Sequence, residues 1–435
     1  MNKHDKLNSS TDVQNLTDTS KEKFKLKTSL HEIVSSIVLL MCGAILTIMV
    51  INIYSMASYG KTMLSLDTTL KSFKSFFQAE TFVESSFYTD YDDSKLLDGA
   101  INGYVSSLDD KYSRYESPEE YNKAQIKDAG QSVGIGITVK LLDDGYIQVQ
   151  EVSENTPAEK SGIKVGDIIK SIDGKDVAET GYTESISLIK DGDDNTSVTL
   201  SVLRDSQTLD ISVSRTIMEV DTAMGKMLDN SIGYIQITHF YTNTPDQFNK
   251  VYQELLNDGA KAFIFDLRNN TGGYTTSVQG CLNDLVPKGD IAEATYKDGS
   301  TKTIVKSDSD STISVPSVVI TNGMTASAGE IFSSAMRELA NSKLVGENTY
   351  GKGVMQVTQP LTNGGAVILT VATYNIVGKE CYHGVGLAPD YEVILSEDDT
   401  EDTQLNKAIE VVSDLMWCLL DILLNFTWQI SIYWL

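Results

Sequence analysis

SVVITNGMTASAGEIFSSAMREL, residues 317–339, breaks into three pieces. Ser317 to Thr321 form a short apolar, β-branched run bounded by Asn322 and Gly323, which reads as a buried strand entering a turn. A helix follows near Glu330 to Ala340. Ser327 therefore falls at the sharp entry to that helix, beside unpaired N–H groups and the positive end of the dipole. The same alternation runs upstream: IGYIQI (232–237), a helix from about Pro245 to Leu256, then AFIFDL (262–267). Strands alternating with helices give an α/β core. Thr244-Pro245-Asp246-Gln247 reads as a capping box with proline at the first helical position, which fixes the start of the helix.

Before Met218 the pattern differs. From Gln131 to about Arg215, short β-rich runs (GIGITVK, YIQVQEV, DIIKSIDG, SVTLSVLR, TLDISVS) are separated by Gly, Asp and Asn turns, the signature of a compact β-rich module. Residues 66–125 carry Leu and Ile at three- and four-residue spacings, which predicts amphipathic helices. The organisation expected is a polar tail over 1–32, an apolar segment over 33–57, a helical region over 58–130, the β-rich module over 131–216, the α/β core over 217–413 and an apolar tail over 414–435.

Ile33 to Ala57 hold no charge, and at about 1.5 Å per residue they would cross a hydrocarbon core of roughly 30 Å. Lys3, Lys6, Lys21, Lys23, Lys25 and Lys27 precede them, so the segment is expected to be a retained single-pass anchor with the N-terminus cytoplasmic and the remainder extracytoplasmic. A cleaved signal peptide is the competing reading. Trp417, Trp428 and Trp434 crowd the apolar tail with Asp421 and Asn425, which suits a second membrane segment, an interfacial element or a packing helix.

The formal net charge is −25, from 60 Asp and Glu against 35 Lys and Arg. Polyphosphate binding needs clustered cations, so a nucleic-acid partner is excluded. The four cysteines, Cys42, Cys281, Cys381 and Cys418, stand at no metal-ligand spacing. At most Cys281 and Cys381 could pair, and the favoured reading of all four is small buried apolar side chains.

Nucleophilic hydrolysis needs a Ser or Cys, a base within reach and N–H donors for an oxyanion. Of the four histidines, His4 and His31 belong to the tail and the membrane border, and neither His239 nor His383 sits in a recognisable triad segment. Lys352 is the alternative base. It lies between Gly351 and Gly353 in GENTYGKGVMQ, just before an apolar strand-like run that would desolvate its amine. Only the neutral amine accepts a proton, so such a base needs a lowered pKa. Alone, Ser327 reads more readily as an N-cap than as a nucleophile, and Lys352 reads as a surface turn lysine. DLRNNTGG (266–273) follows a buried strand and ends in two glycines, which allows close backbone approach.

These pieces together resemble the C-terminal processing, or tail-specific, serine proteases. The likeness covers about residues 85–412 and rests on SLDDKYSRY, SVGIGITVK with TPAEKSGIKVGDIIKSIDG, DLRNNTGG, TASAGEIF, YGKGVMQ and GVGLAPDYEV, in the family's order. The resemblance implies a ClpP- or crotonase-like protease core with an inserted PDZ domain. It implies Ser327 as nucleophile, Lys352 as base and Gln356 as the polar residue that orients the lysine. N–H groups of Gly272 or Gly273 and of Ala328 would form the oxyanion hole. Gly134, Ile135, Gly136 and Ile137 match the loop with which PDZ domains bind a chain terminus, a peptide then adding as a strand. Ile135, Ile137, Ile186 and Ile189 are candidates for its apolar pocket. The implied partner is a protein C-terminus, with no metal, nucleotide or cofactor, and a homodimer through the helices of 66–125 and the acidic C-terminal helix. Lys111 stands where the family commonly has proline, and Thr325 where it often has serine.

Two rivals fall away on spacing. Gly346 to Lys352 nearly matches a phosphate loop, but Gly353 replaces the Ser or Thr that would bind magnesium, and a strand-like run follows where a helix is needed. A Ser187-x-x-Lys190 match recurs at Ser20 to Lys23 in the polar tail, so it carries no information. The remaining alternative is an inactive, membrane-tethered PDZ scaffold.

Overall fold

The computed structural model describes residue 71 and residues 73–190, 192–396 and 399–433, with side chains of the last helix as far as Cys418. The candidate anchor over 33–57 lies outside the described residues. The chain divides between Asp92 and Asp93. In the first unit, helix Lys74–Ser86 leaves Phe76, Phe77 and Phe82 exposed.

The centre of the second unit is a six-stranded sheet in the order Ala223–Leu228, Ile232–Ile237, Ala262–Asp266, Ser317–Thr321, Lys343–Gly346, Tyr391–Glu392. Its first pair is antiparallel and the rest are parallel. AFIFD and SVVIT are buried along their whole length because helices cover both faces of the sheet. Alternate residues serve the two faces. Phe263, Phe265 and Val319 join Phe248, Phe332 and Met336 in one core. Ala262, Ile264, Val318 and Ile320 meet Ala408, Val411 and Val412 of the final helix in another.

The serine-bearing helix runs Ala328–Ala340, and every residue from Ala328 to Met336 is buried. It is enclosed because a second sheet contributes Ala292, Ala294, Tyr374 and Ile376 to the same core. In that sheet Ala366–Ile376 pairs antiparallel with Val354–Pro360, with Gly289–Tyr296 and with Arg114–Glu116. Arg114–Glu116 was not expected as a strand. Three residues carry no periodicity, and the partner lies some 250 residues away.

The β-rich module is a sheet ordered Ile137–Leu141, Ile147–Val152, Ile168–Ile172, Ser197–Arg204, Gln207–Ser214, with helix Tyr182–Lys190 beside it. Its entry and exit segments, Gln131–Gly134 and Thr216–Glu219, pair as a separate ladder. The buried Arg215 guanidinium donates to the carbonyls of Leu188 and Ile189, so a cation closes the C-terminus of that helix.

One expectation needs correction. Helix Thr244–Asn257 starts where expected, but Asn243 is its N-cap and no side chain caps it. The Gln247 amide instead accepts from Thr222 N–H at 2.7 Å, because an unpaired strand end lies within its reach. Cys281 is buried, Cys381 is exposed, and both are free thiols. The apolar tail continues helix Thr403–Tyr433, and among the described residues no helix is long and apolar enough to cross a membrane. As expected of a structural pair, Asp266 and Arg268 are engaged: the guanidinium bridges Asp266 and Asp402, tying the start of the last helix to the end of strand Ala262–Asp266.

Candidate active site

The turn before helix Ala328–Ala340 puts Ser327 at φ 56°, ψ −118°, a sparsely populated conformation for a side chain with a Cβ. The chain holds it there because Ser327 N–H donates to Glu330 Oε2 at 2.9 Å, the reciprocal half of a capping box. Glu330 is wholly buried. Its Oε1 accepts from Thr349 Oγ1 at 2.6 Å and Gly351 N–H at 2.7 Å, and its Oε2 also accepts from Lys352 N–H at 2.8 Å. Four donors satisfy one carboxylate, which is what lets it remain in a core. Ser327 and Lys352 share one oxygen, so their backbone nitrogens are no more than about 6 Å apart.

Lys352 is half-buried, and its ammonium lies 5.0 Å from the centroid of the Tyr112 ring. Among the described residues the Lys352 ammonium takes part in no hydrogen bond or ion pair, so it is not hydrogen-bonded to Ser327. Burial, helped by the Arg114 cation, holds its pKa below the ordinary lysine value, while Tyr350, Glu330 and Asp110 act against the shift. The Tyr374 hydroxyl donates to Lys352 C=O at 2.5 Å. Burial pushes that phenol up, against the neighbouring hydroxyls of Tyr382 and Ser327. Among the described residues Gln356 makes no hydrogen bond to the lysine: its amide donates to Thr370 Oγ1 at 3.2 Å.

The glycine pair lies against the serine. A Cβ on Gly272, at φ 105°, would fall 2.7 Å from Ser327 Cβ, and one on Gly273, at φ 146°, would fall 2.2 Å from Phe240 C=O. Gly272 N–H donates to Asn270 Oδ1 at 2.8 Å and is therefore occupied. Among the described residues, Gly273 N–H and Ala328 N–H donate to no protein group. Of the three candidate donors, two remain open.

Gly272, Gly273 and Gln356 line a cavity of about 730 Å3 with Arg114 and Tyr274. A second cavity, of about 330 Å3, reaches Gln131, Ser132 and Val133 at the entry to the β-rich module and Lys190 at the end of its helix. Lys127, His239 and Tyr241 line both, so the two adjoin. His239 stacks on Tyr241 at 4.8 Å, and burial pushes its imidazole pKa down. In the module itself Ile135 is 1% exposed and Ile189 5%, both in the core, whereas Ile137 and Ile186 are partly exposed. Gly136 at φ 88° leaves no room for a Cβ beside Thr156, and the carbonyls of Ile135 and Gly136 accept from Ala158 and Ser153. Gly134 closes the entry ladder opposite Thr216.

Reading the sequence did not single out Glu330, Thr349, Tyr374 or Tyr112. Glu330 alone carried a signal, the acidic residue three positions after an N-cap serine.

Residues 231–393 match the model of peptidase family S41, residues 133–214 that of the PDZ domain, and residues 41–119 that of the activating protease CtpB N-terminal domain. The carboxy-terminal processing protease CtpA of Bacillus subtilis is 36% identical over 317 residues, 72% of this chain and 67% of that protein. A probable CtpA-like serine protease of Staphylococcus aureus is 30% identical over 72% of this chain and 62% of its own length. These matches thus span about two thirds of the curated relatives. A photosystem II D1 C-terminal processing protease is 25% identical, with a TM-score of 0.45 over 73% of this chain and 86% of that one. The chain belongs to peptidase family S41, in the carboxy-terminal processing group, and carries a PDZ domain.

Proposed function

We propose that the protein is a serine endopeptidase that takes the C-terminal region of protein substrates through its PDZ domain and cleaves by a Ser327–Lys352 acyl-enzyme mechanism. The observation that carries this reading is the Glu330 carboxylate, which brings a strained serine and a half-buried lysine to one oxygen beside two open N–H groups. Neutral Lys352 turns from Tyr112 and takes the Ser327 hydroxyl proton as Oγ attacks the scissile carbonyl. Gly273 and Ala328 N–H groups hold the oxyanion, Lys352 returns the proton to the leaving amine, and water then hydrolyses the ester. Gln356 leaves Thr370 and orients the lysine when substrate fills the cavity. The adjoining cavities support a path from the PDZ domain to the glycine pair.

Cleavage of an unstructured protein with an apolar C-terminus, by wild type, Ser327→Ala and Lys352→Ala, tests this. The two variants should lose at least about a thousandfold in kcat/KM. Equal rates in all three remove the mechanism, and an inactive wild type that still binds the C-terminus leaves a PDZ scaffold. The rate should rise with pH through an apparent pKa below about 10.4. We also place residues 33–57 in the membrane as a single anchor, with the protease outside and a homodimer as the assembly. Loss of membrane association on deleting 33–57, and the sedimentation of the solubilised chain, check these two points.

A further inference from the structure

We propose that His383 is a positioning residue for Lys352, acting through the amide of Gly353. The proposal rests on the reading of Lys352 as the base. From Gly351 to Gly353 every backbone polar group has a partner. Gly351 N–H and Lys352 N–H go to Glu330, and Gly351 C=O accepts from Gly384 N–H at 2.9 Å. Lys352 C=O accepts from the Tyr374 hydroxyl, and Gly353 C=O from Tyr374 N–H at 3.0 Å. Gly353 N–H, the last of the six, donates to His383 Nδ1 at 3.2 Å.

The peptide plane between Lys352 and Gly353 carries both the Lys352 carbonyl and the Gly353 amide, so its orientation sets the direction in which the lysine projects. Tyr374 fixes one edge of that plane and His383 the other. Approach is close: a Cβ on Gly353 would fall 3.0 Å from His383 Cβ and 3.0 Å from Cys381 Sγ. His383 also lies 6.3 Å, ring to ring, from Tyr112, the aromatic face on which the Lys352 ammonium rests. An N–H can donate only to an unprotonated nitrogen, so Nδ1 bears the lone pair and the ring proton sits on Nε2. This role needs an acceptor at the Nδ1 position and nothing at Nε2. Asparagine places its Oδ1 there, whereas glutamine reaches the Nε2 position and leucine offers no acceptor.

The test compares wild type with His383→Asn, His383→Gln and His383→Leu, each as the full chain, on the same unstructured substrate. His383→Asn should keep kcat within about threefold. His383→Gln and His383→Leu should lose about tenfold in kcat with KM unchanged, because the cleft is left intact and only the base is misaligned. Wild-type kcat in the Gln and Leu variants, or an Asn variant as impaired as Leu, overturns the proposal. A second readout does not depend on activity: 15N spectra of histidine-labelled protein, with the His383 signals identified by their absence in His383→Asn, should show an unprotonated Nδ1 and a protonated Nε2. A protonated Nδ1 overturns the contact outright. Should Lys352→Ala retain the wild-type rate, the base reading falls while the nitrogen spectrum still decides whether His383 holds Gly353.

Discussion

Ser327 and Lys352 are held in two different ways. On the backbone side their amides converge on Glu330, which is fully buried with all four of its hydrogen bonds made. On the side-chain side the lysine rests on an aromatic face, and Gln356 is turned to Thr370. A saturated buried network has one low-energy arrangement, because every alternative strands a polar group in the core. A half-buried ammonium against a ring is held by roughly 1–2 kcal/mol, and its rotamers exchange rapidly. The framework around Ser327 and Lys352 is therefore set by folding, and in the proposed mechanism the contacts that do chemistry are left to binding.

The sharpest break of that contrast is at Glu330. Glu330→Ala leaves three N–H groups and a hydroxyl without a partner in a closed core, and should cost about 4 kcal/mol of stability and most of the activity. Glu330→Gln preserves the shape but turns an NH2 towards N–H donors. It should fold with a loss of about 2–3 kcal/mol and reduce kcat at least about a hundredfold. Chemical denaturation beside steady-state rates measures both, and a Glu330→Gln protein with wild-type midpoint and rate would show that the carboxylate positions nothing.

A milder test uses the cost of burying the lysine. Its pKa is lower in the folded chain than in the unfolded one, first through burial and then through Arg114. Between those two values the unfolded chain binds more protons, so this group's contribution to stability rises with pH and its penalty is largest at neutral and acid pH. Lys352→Met keeps the length of the side chain and removes the charge. It should abolish cleavage yet raise Tm by about 2 °C at pH 6, with the gain fading as the pH approaches that of a free lysine near 10.4. Destabilisation at pH 6 would mean that the ammonium is held more firmly than its single aromatic contact indicates.

The difference between the two regions also marks what could be read from the chain. Strand, turn and helix around Ser327 followed from local pattern, because SVVIT is buried from end to end and the helix after it is uninterrupted. Glycine spacing pointed to Gly272 and Gly273, since only residues without a Cβ pass so close to Ser327 and Phe240. Which glycine keeps an open N–H could not be read, because the occupant of the other, Asn270 Oδ1, is a matter of side-chain rotation. Glu330 was legible as a helix-start acid but not as the tie to Thr349, Gly351 and Lys352, which are 19 to 22 residues further on. Gln356 was assigned by resemblance to the lysine, whereas in this structure its amide goes to the adjacent strand.

That last difference yields the smallest effect and the most direct probe of the open side. Gln356 sits on Val354–Pro360 opposite Thr370 of the neighbouring strand, at an irregularity in the pairing between Met355 and Gln356. Its amide is part-buried there and spans 3.2 Å to Thr370 Oγ1. If Gln356 must leave that hydroxyl to reach Lys352, the hydrogen bond to Thr370 stabilises the disengaged arrangement by about 1 kcal/mol. Thr370→Val removes the hydroxyl while keeping the β-branched shape, so it should raise kcat by about two- to threefold without changing KM, as expected when a competing ground-state contact is lost. Gln356→Ala should lower kcat about tenfold, and in that background Thr370→Val should have no further effect. An unchanged rate in Gln356→Ala would confine the amide to the strand pair, and a Thr370→Val effect that persists without Gln356 would put the threonine's influence on some other contact.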